Sequence, residues 1–201
     1  MGSLPLWLTL ARLGLIPVLV AVFYGAGPGG GRWGALILAS AAITDWLDGH
    51  LARRWGQTTA FGAFLDPVAD KLLVCTALVL LVQAQATPAM AVACSALIGR
   101  EILVSALREW VATAVPGATL AVSWGGKLKA TLQFAALVLL FYGHPSLPSL
   151  VVFGQVLLWG AVAIAWLSLG HYVHRARGLL TVRAKASQAV KKPPDTSLSK
   201  R

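Results

Sequence analysis

Four aspartates, Asp45, Asp48, Asp66 and Asp70, fall within the stretch TDWLDGHLARRWGQTTAFGAFLDPVADK and account for four of the seven acidic residues of the chain. The members of the first pair are three positions apart and those of the second four, so each pair shares a helix face. Gly49, Ala52 and Arg53 continue the first stripe. Between the pairs, RRWGQTTAFG contains Gly56 and the small residues Thr58–Ala60, and reads as a turn. Two helix ends joined by such a turn place four carboxylates around one point. Carboxylates that close stay ionised only when a cation neutralises them. Left bare in a bilayer, each would cost at least ~2.5 kcal/mol. Oxygen-only donors suit a hard divalent ion, Mg²⁺ or Mn²⁺, and the lack of His or Cys among them argues against zinc. Such an ion completes its shell with water and substrate phosphate, so phosphate chemistry is the first inference. Gly49 follows Asp48 directly and Gly62 lies one turn before Asp66. A mid-helix glycine costs about 1 kcal/mol against alanine. These two and Ala52 leave two readings open: close approach of a nucleotide base or ribose, or close helix packing.

The elements that must hold these residues are apolar throughout. Hydrophobic residues make up 57% of the 201 positions and charged ones 12%, with a mean hydropathy of +0.73. Soluble domains carry about 25% charge, so a water-soluble globule is excluded. The apolar runs with their flanks predict an all-α integral membrane bundle of six transmembrane helices, at about 5–24, 33–55, 66–86, 88–113, 126–143 and 149–173. No positive charge precedes the first run and Arg12 interrupts it, so it reads as a retained anchor and not a cleaved signal. Residues 1–174 form the expected catalytic domain, and 175–201 a basic, flexible cytoplasmic tail containing Pro193 and Pro194.

Lys and Arg set the expected orientation. With the N-terminus inside, Arg53, Arg54, Lys71, Arg108, Lys127, Lys129 and the tail face the cytoplasm, while the opposite loops hold only Arg32. The aspartates therefore open to the cytoplasmic side of a cell membrane. The net charge of +10 needs no nucleic acid. The tail reads either as a contact for anionic lipid headgroups or as a topology determinant. Cys75 and Cys94 fall inside spans and read as small buried apolar residues. Trp33, Trp55, Trp110 and Trp124 lie near span ends, as interfacial aromatics do.

Four cations stand near the same membrane face. Arg100 and Arg108 are two turns apart on the fourth span, and Lys127 and Lys129 open the fifth. Glu101 and Glu109 can pair with only some of them, and the surplus suits a phosphate-bearing substrate. On one helix Lys127 and Lys129 diverge by about 200°. A frayed start at Gly125 and Gly126 is expected to let both reach one anion.

The spacing Asp45-x2-Asp48-Gly49-x2-Ala52-Arg53-x8-Gly62-x3-Asp66-x3-Asp70 resembles the signature of the CDP-alcohol phosphatidyltransferases. LPLWLTLARLGLIP, FGAFLDPVADKLLV, IGREILVSALREW and VSWGGKLKATLQ are similar to segments of the bacterial phosphatidylglycerophosphate synthases within that family, so the likeness runs from Leu4 to Gln133. Leu6 departs from it, standing where members often have Asn. The resemblance implies a homodimeric six-helix membrane enzyme that moves a phosphatidyl group from CDP-diacylglycerol to sn-glycerol 3-phosphate and releases CMP. It implies two Mg²⁺ or Mn²⁺ ions on Asp45, Asp48, Asp66 and Asp70, with Asp70 also the general base. It further implies nucleotide contacts from Thr9, Asp48, Gly49, Ala52, Arg53 and Gly62. The acceptor phosphate would fall to Arg100, Arg108, Lys127 and Lys129. An inositol phosphate acceptor would use the same cations, whereas serine would not. A divalent-cation transporter is the reading from a different class, but transport sites lie near the bilayer midplane. These aspartates flank a turn at the membrane surface.

Overall fold

The computed structural model describes residues 4–55, 60–115, 124–143 and 147–191. Six α-helices fill them: α1 (Leu4–Gly25), α2 (Gly30–Trp55), α3 (Ala60–Gln85), α4 (Pro88–Ala114), α5 (Trp124–Gly143) and α6 (Pro148–Lys191), with a 3-10 turn at Gly27–Gly29. Each expected span corresponds to one helix. α3 begins at Ala60 instead of 66, and α6 runs to Lys191 instead of stopping near 173. Hydropathy finds the apolar middle of a helix and is blind to its polar extensions. The first part of the stretch read as a flexible tail is thus a continuation of α6. At α4 the start is set locally: Thr87 accepts a hydrogen bond from the Met90 amide at 3.3 Å, and Pro88 takes the first helical position.

Contacts between helices fix their directions. Thr9 meets Asp66 near the starts of α1 and α3, and Tyr24 donates to Gln83 near their ends, so these two run parallel. Lys71 of α3 reaches Ser105 late in α4, and Lys129 early in α5 reaches Glu101, so α4 runs against both. Arg100 and Arg108 of α4 bond Ser168 and Tyr172 of α6 in the same order, making that pair parallel. One end of the bundle therefore collects the beginnings of α1, α3 and α5 with the later parts of α4 and α6. α2 delivers its last turns to this end too, because only residues 56–59 separate it from α3.

The core is a continuous apolar cluster including Leu19, Leu38, Leu73, Leu78, Leu97, Leu137, Phe141 and Leu158. Glycines let helices close on it. A Cβ on Gly34 would stand 2.8 Å from the Phe141 ring, and one on Gly154 2.7 Å from Leu140. Small residues at such crossings are how helices approach in lipid. Outward, Trp7, Phe64, Ile102, Phe153 and Leu167 are exposed, an apolar exterior unlike that of a water-soluble domain.

Among the described residues, three segments are long and apolar enough to cross a membrane: Trp7–Gly25, Pro88–Ala114 and Pro148–Leu179. Of the six crossings expected from sequence, these three are the ones that length and composition support. α2 and α3 carry the aspartates and several basic residues at one end, and α5 carries Lys127 and Lys129, which shortens the apolar stretch of each.

Candidate active site

Asp66 and Asp70 sit one turn apart near the start of α3 and face α1. A single guanidinium nitrogen, Arg12 Nη1, stands 2.8 Å from Asp66 Oδ1 and 2.7 Å from Asp70 Oδ1, which draws the two carboxylates around one point. Thr9 adds a hydrogen bond from its hydroxyl to Asp66 Oδ1 at 3.2 Å. Thr9 and Arg12 are three apart on α1 and both buried, whereas the two aspartates are partly open. Charge inside an apolar helix is expensive unless paired, and here the partner is plain.

Asp45, Asp48, Gly49, Ala52 and Arg53 are placed by backbone alone on the last turns of α2; their side chains lie outside the described residues. Among the described residues no group of three metal-binding side chains gathers. The part of the predicted donor set that is described nonetheless fits a cation. Both described hydrogen bonds to Asp66 fall on Oδ1, leaving Oδ2 for another partner. Positive charge already occupies the point between the two carboxylates. Gly62, also expected at the nucleotide, is buried on the first turn of α3, one turn before Asp66.

The four cations expected at the acceptor do not gather as one group. Lys129 is buried and pairs with Glu101. Arg100 spends its donors on Glu101 Oε1, the Ala165 carbonyl and Ser168 Oγ, each at 3.3 Å. Arg108 donates to the Tyr172 hydroxyl at 2.8 Å, with its guanidinium carbon 5.2 Å from that ring's centroid. The stripe Arg100–Arg108 is real, but it faces α6. Lys127 is exposed, and α5 is helical from Trp124 onward, so the frayed start that would bring it beside Lys129 is absent.

What sequence reasoning missed is a cavity of about 180 Å³ between α3, α4 and α5. Its wall includes Asp70, Lys71, Glu101, Lys129 and Gln133; Arg100, Arg108 and Lys127 are not on it. Lys71 enters from α3 and donates to Ser105 Oγ at 2.6 Å. Sequence alone treated Lys71 as a topology signal and Arg12 as an interruption. An ionisable residue within an apolar helix is by default a functional candidate with a partner to be found, and that signal was present for Arg12. Directly beside the aspartate that could take a proton, the cavity offers two ammonium groups, a carboxylate and an amide. Such a site can hold a small polar anion and deprotonate its hydroxyl.

A family model described as CDP-alcohol phosphatidyltransferase matches residues 2–167. The chain is 44% identical over 175 residues to the CDP-diacylglycerol–glycerol-3-phosphate 3-phosphatidyltransferase of Sodalis glossinidius, covering 87% of this chain and 95% of that protein. It is 45% identical over 177 residues to the protein of the same name from Salmonella choleraesuis, covering 88% and 96%. The counterpart from Haemophilus influenzae is 43% identical over 178 residues, covering 89% and 95%. The match reaches beyond the aspartate signature through α1, the cavity helices and the first part of α6, and on that extent the chain belongs to the CDP-alcohol phosphatidyltransferase family.

Proposed function

We propose that this chain transfers a phosphatidyl group from CDP-diacylglycerol to sn-glycerol 3-phosphate, giving phosphatidylglycerophosphate and CMP. Beyond the relatives, the observation that carries this reading is the cavity joining Asp70 to Lys71 and Lys129. A proton acceptor and two cations on one wall suit an acceptor that has both a hydroxyl and a phosphate. Asp70 takes the proton as the acceptor oxygen attacks the phosphorus that bears diacylglycerol. The bond from that phosphorus to the CMP oxygen breaks, and attacking and leaving oxygens lie in line. Arg12 holds the Asp70 carboxylate in place through Oδ1. Thr9 orients Asp66. The Lys71 and Lys129 ammonium groups face the Asp70 and Glu101 carboxylates on the cavity wall, and Arg100, behind the wall, shares Glu101 with Lys129.

The family works with divalent metal ions. Asp45, Asp48, Asp66 and Asp70 would hold them, as Mg²⁺ or Mn²⁺ and as a pair, and the ions would neutralise the donor diphosphate and make CMP a better leaving group. Gly49, Ala52, Arg53 and Gly62 lie on the helix ends where the cytidine moiety would approach. The remaining helices also cross the membrane, the site opens to the cytoplasm and the enzyme works as a homodimer, in keeping with the basic residues at that end and the family likeness.

The test is purified protein in detergent with CDP-diacylglycerol and labelled sn-glycerol 3-phosphate, inositol phosphate or serine. Lipid product together with CMP is expected with the glycerol phosphate. Product with inositol phosphate alone would reassign the acceptor, and no CMP release with any acceptor would remove the reaction.

A further inference from the structure

Gln133 lies on α5, one turn beyond Lys129, and is 1% exposed. It is a wall residue of the cavity beside Asp70, and neither Nε2 nor Oε1 has a hydrogen-bond partner. Burying an amide with both ends unpaired is costly, since each unsatisfied group forfeits its solvation. The neighbouring polar groups have partners: Lys129 bonds Glu101, and Lys71 bonds Ser105. Gln133 alone among these is left with a donor and an acceptor to offer. The cavity's 180 Å³ far exceeds the roughly 10–15 Å³ that one water needs, so it can admit a ligand.

The chemistry of that ligand follows from the amide. A phosphate oxygen would satisfy Nε2 and be repelled by Oε1, and an ammonium would do the reverse. A hydroxyl donates and accepts, so one hydroxyl or a vicinal pair satisfies both ends. We propose that Gln133 is a specificity-determining residue that reads the acceptor's non-reacting hydroxyl, the one beside the hydroxyl delivered to Asp70. The inference deepens the functional reading above and rests on it: the cavity must be the acceptor site. Lysines 71 and 129 then select for the phosphate, and Gln133 selects for a polyol over a simple alcohol phosphate.

The experiment compares sn-glycerol 3-phosphate with 3-hydroxypropyl phosphate, which keeps the reacting hydroxyl and the phosphate but lacks the middle hydroxyl. The unmodified enzyme should prefer the glycerol phosphate by about 10-fold or more in kcat/KM, because the shorter-bonded analogue leaves the buried amide unpaired. Gln133→Met keeps the length without the amide and should reduce that preference to within about twofold, raising KM for glycerol phosphate while KM for CDP-diacylglycerol stays level. Gln133→Asn should retain part of the preference. A purely packing role would change activity toward both acceptors alike and leave the ratio intact, which overturns the proposal. If Gln133→Met does not fold, equal use of the two acceptors by the unmodified enzyme overturns it just as directly. Use of neither acceptor, with another alcohol consumed instead, would remove the functional reading itself.

Discussion

Replacing Arg12 by methionine removes one cation and leaves two aspartates facing each other. The guanidinium is 3% exposed, while the Asp66 and Asp70 side chains are 47% and 31% exposed. Unit charges about 4 Å apart attract by roughly 4 kcal/mol at an effective dielectric near 20. Breaking a fully buried pair costs about 3–5 kcal/mol, and an exposed pair about 0.2–1 kcal/mol. A buried cation shared by two partly solvated carboxylates falls between, and we expect a loss of about 2–3 kcal/mol in metal-free protein. At about 2–4 °C per kcal/mol for a chain of this size, Tm should fall by roughly 4–12 °C. Thermal unfolding in detergent, followed by tryptophan fluorescence in chelator, reads this directly. Added Mg²⁺ should then raise Tm more for Arg12→Met than for the unmodified protein, because the ion no longer competes with a guanidinium for the same oxygens. A Tm within about 1 °C of the unmodified protein in chelator, or an equal loss with and without Mg²⁺, would refute the idea that Arg12 holds the place between these carboxylates.

Asp70→Asn should lower kcat by about 10²–10⁴-fold while retaining CDP-diacylglycerol binding, measured by turnover and by equilibrium binding of the donor; undiminished turnover removes the proton-accepting role. Lys129→Ala should raise KM for the acceptor and also destabilise the fold, since Glu101 keeps only Arg100, whereas Lys127→Ala should leave both KM values within about twofold. Comparable effects of the two lysine substitutions would contradict their separate placement on α5. Turnover should vanish with a chelator and return with Mg²⁺ or Mn²⁺, and metal-independent CMP release would count against the carboxylate site as a cation holder.

The helices were legible because apolar runs are local properties of the chain, and six of them with their flanks were visible between about 5 and 173. Asp66 and Asp70 were legible for the same reason: four-residue spacing alone puts them on one face. Partnerships across helices were not. Nothing in the spacing of Arg100 and Arg108 says whether that stripe meets a substrate or α6, and the structure turns it to Ser168 and Tyr172. Lys127 and Lys129 could be judged equivalent only while the start of α5 was unknown; a helix from Trp124 sends them to opposite sides. Gln133 gave no sign of its own in the sequence, because burial without a partner is a three-dimensional property. The weakest inference came from hydropathy at the helix ends, where the polar first turns of α3 and the long continuation of α6 carry no apolar signal.

The last helix has a mechanical consequence. An uninterrupted rod of 44 residues is roughly 66 Å long, about twice the thickness of the oil layer it is built to cross. Its far end therefore projects well past Ser168 and Tyr172, the residues that grip α4. A charged surface or another molecule that met that overhang would pull on the same rod that Arg100 and Arg108 grip from α4.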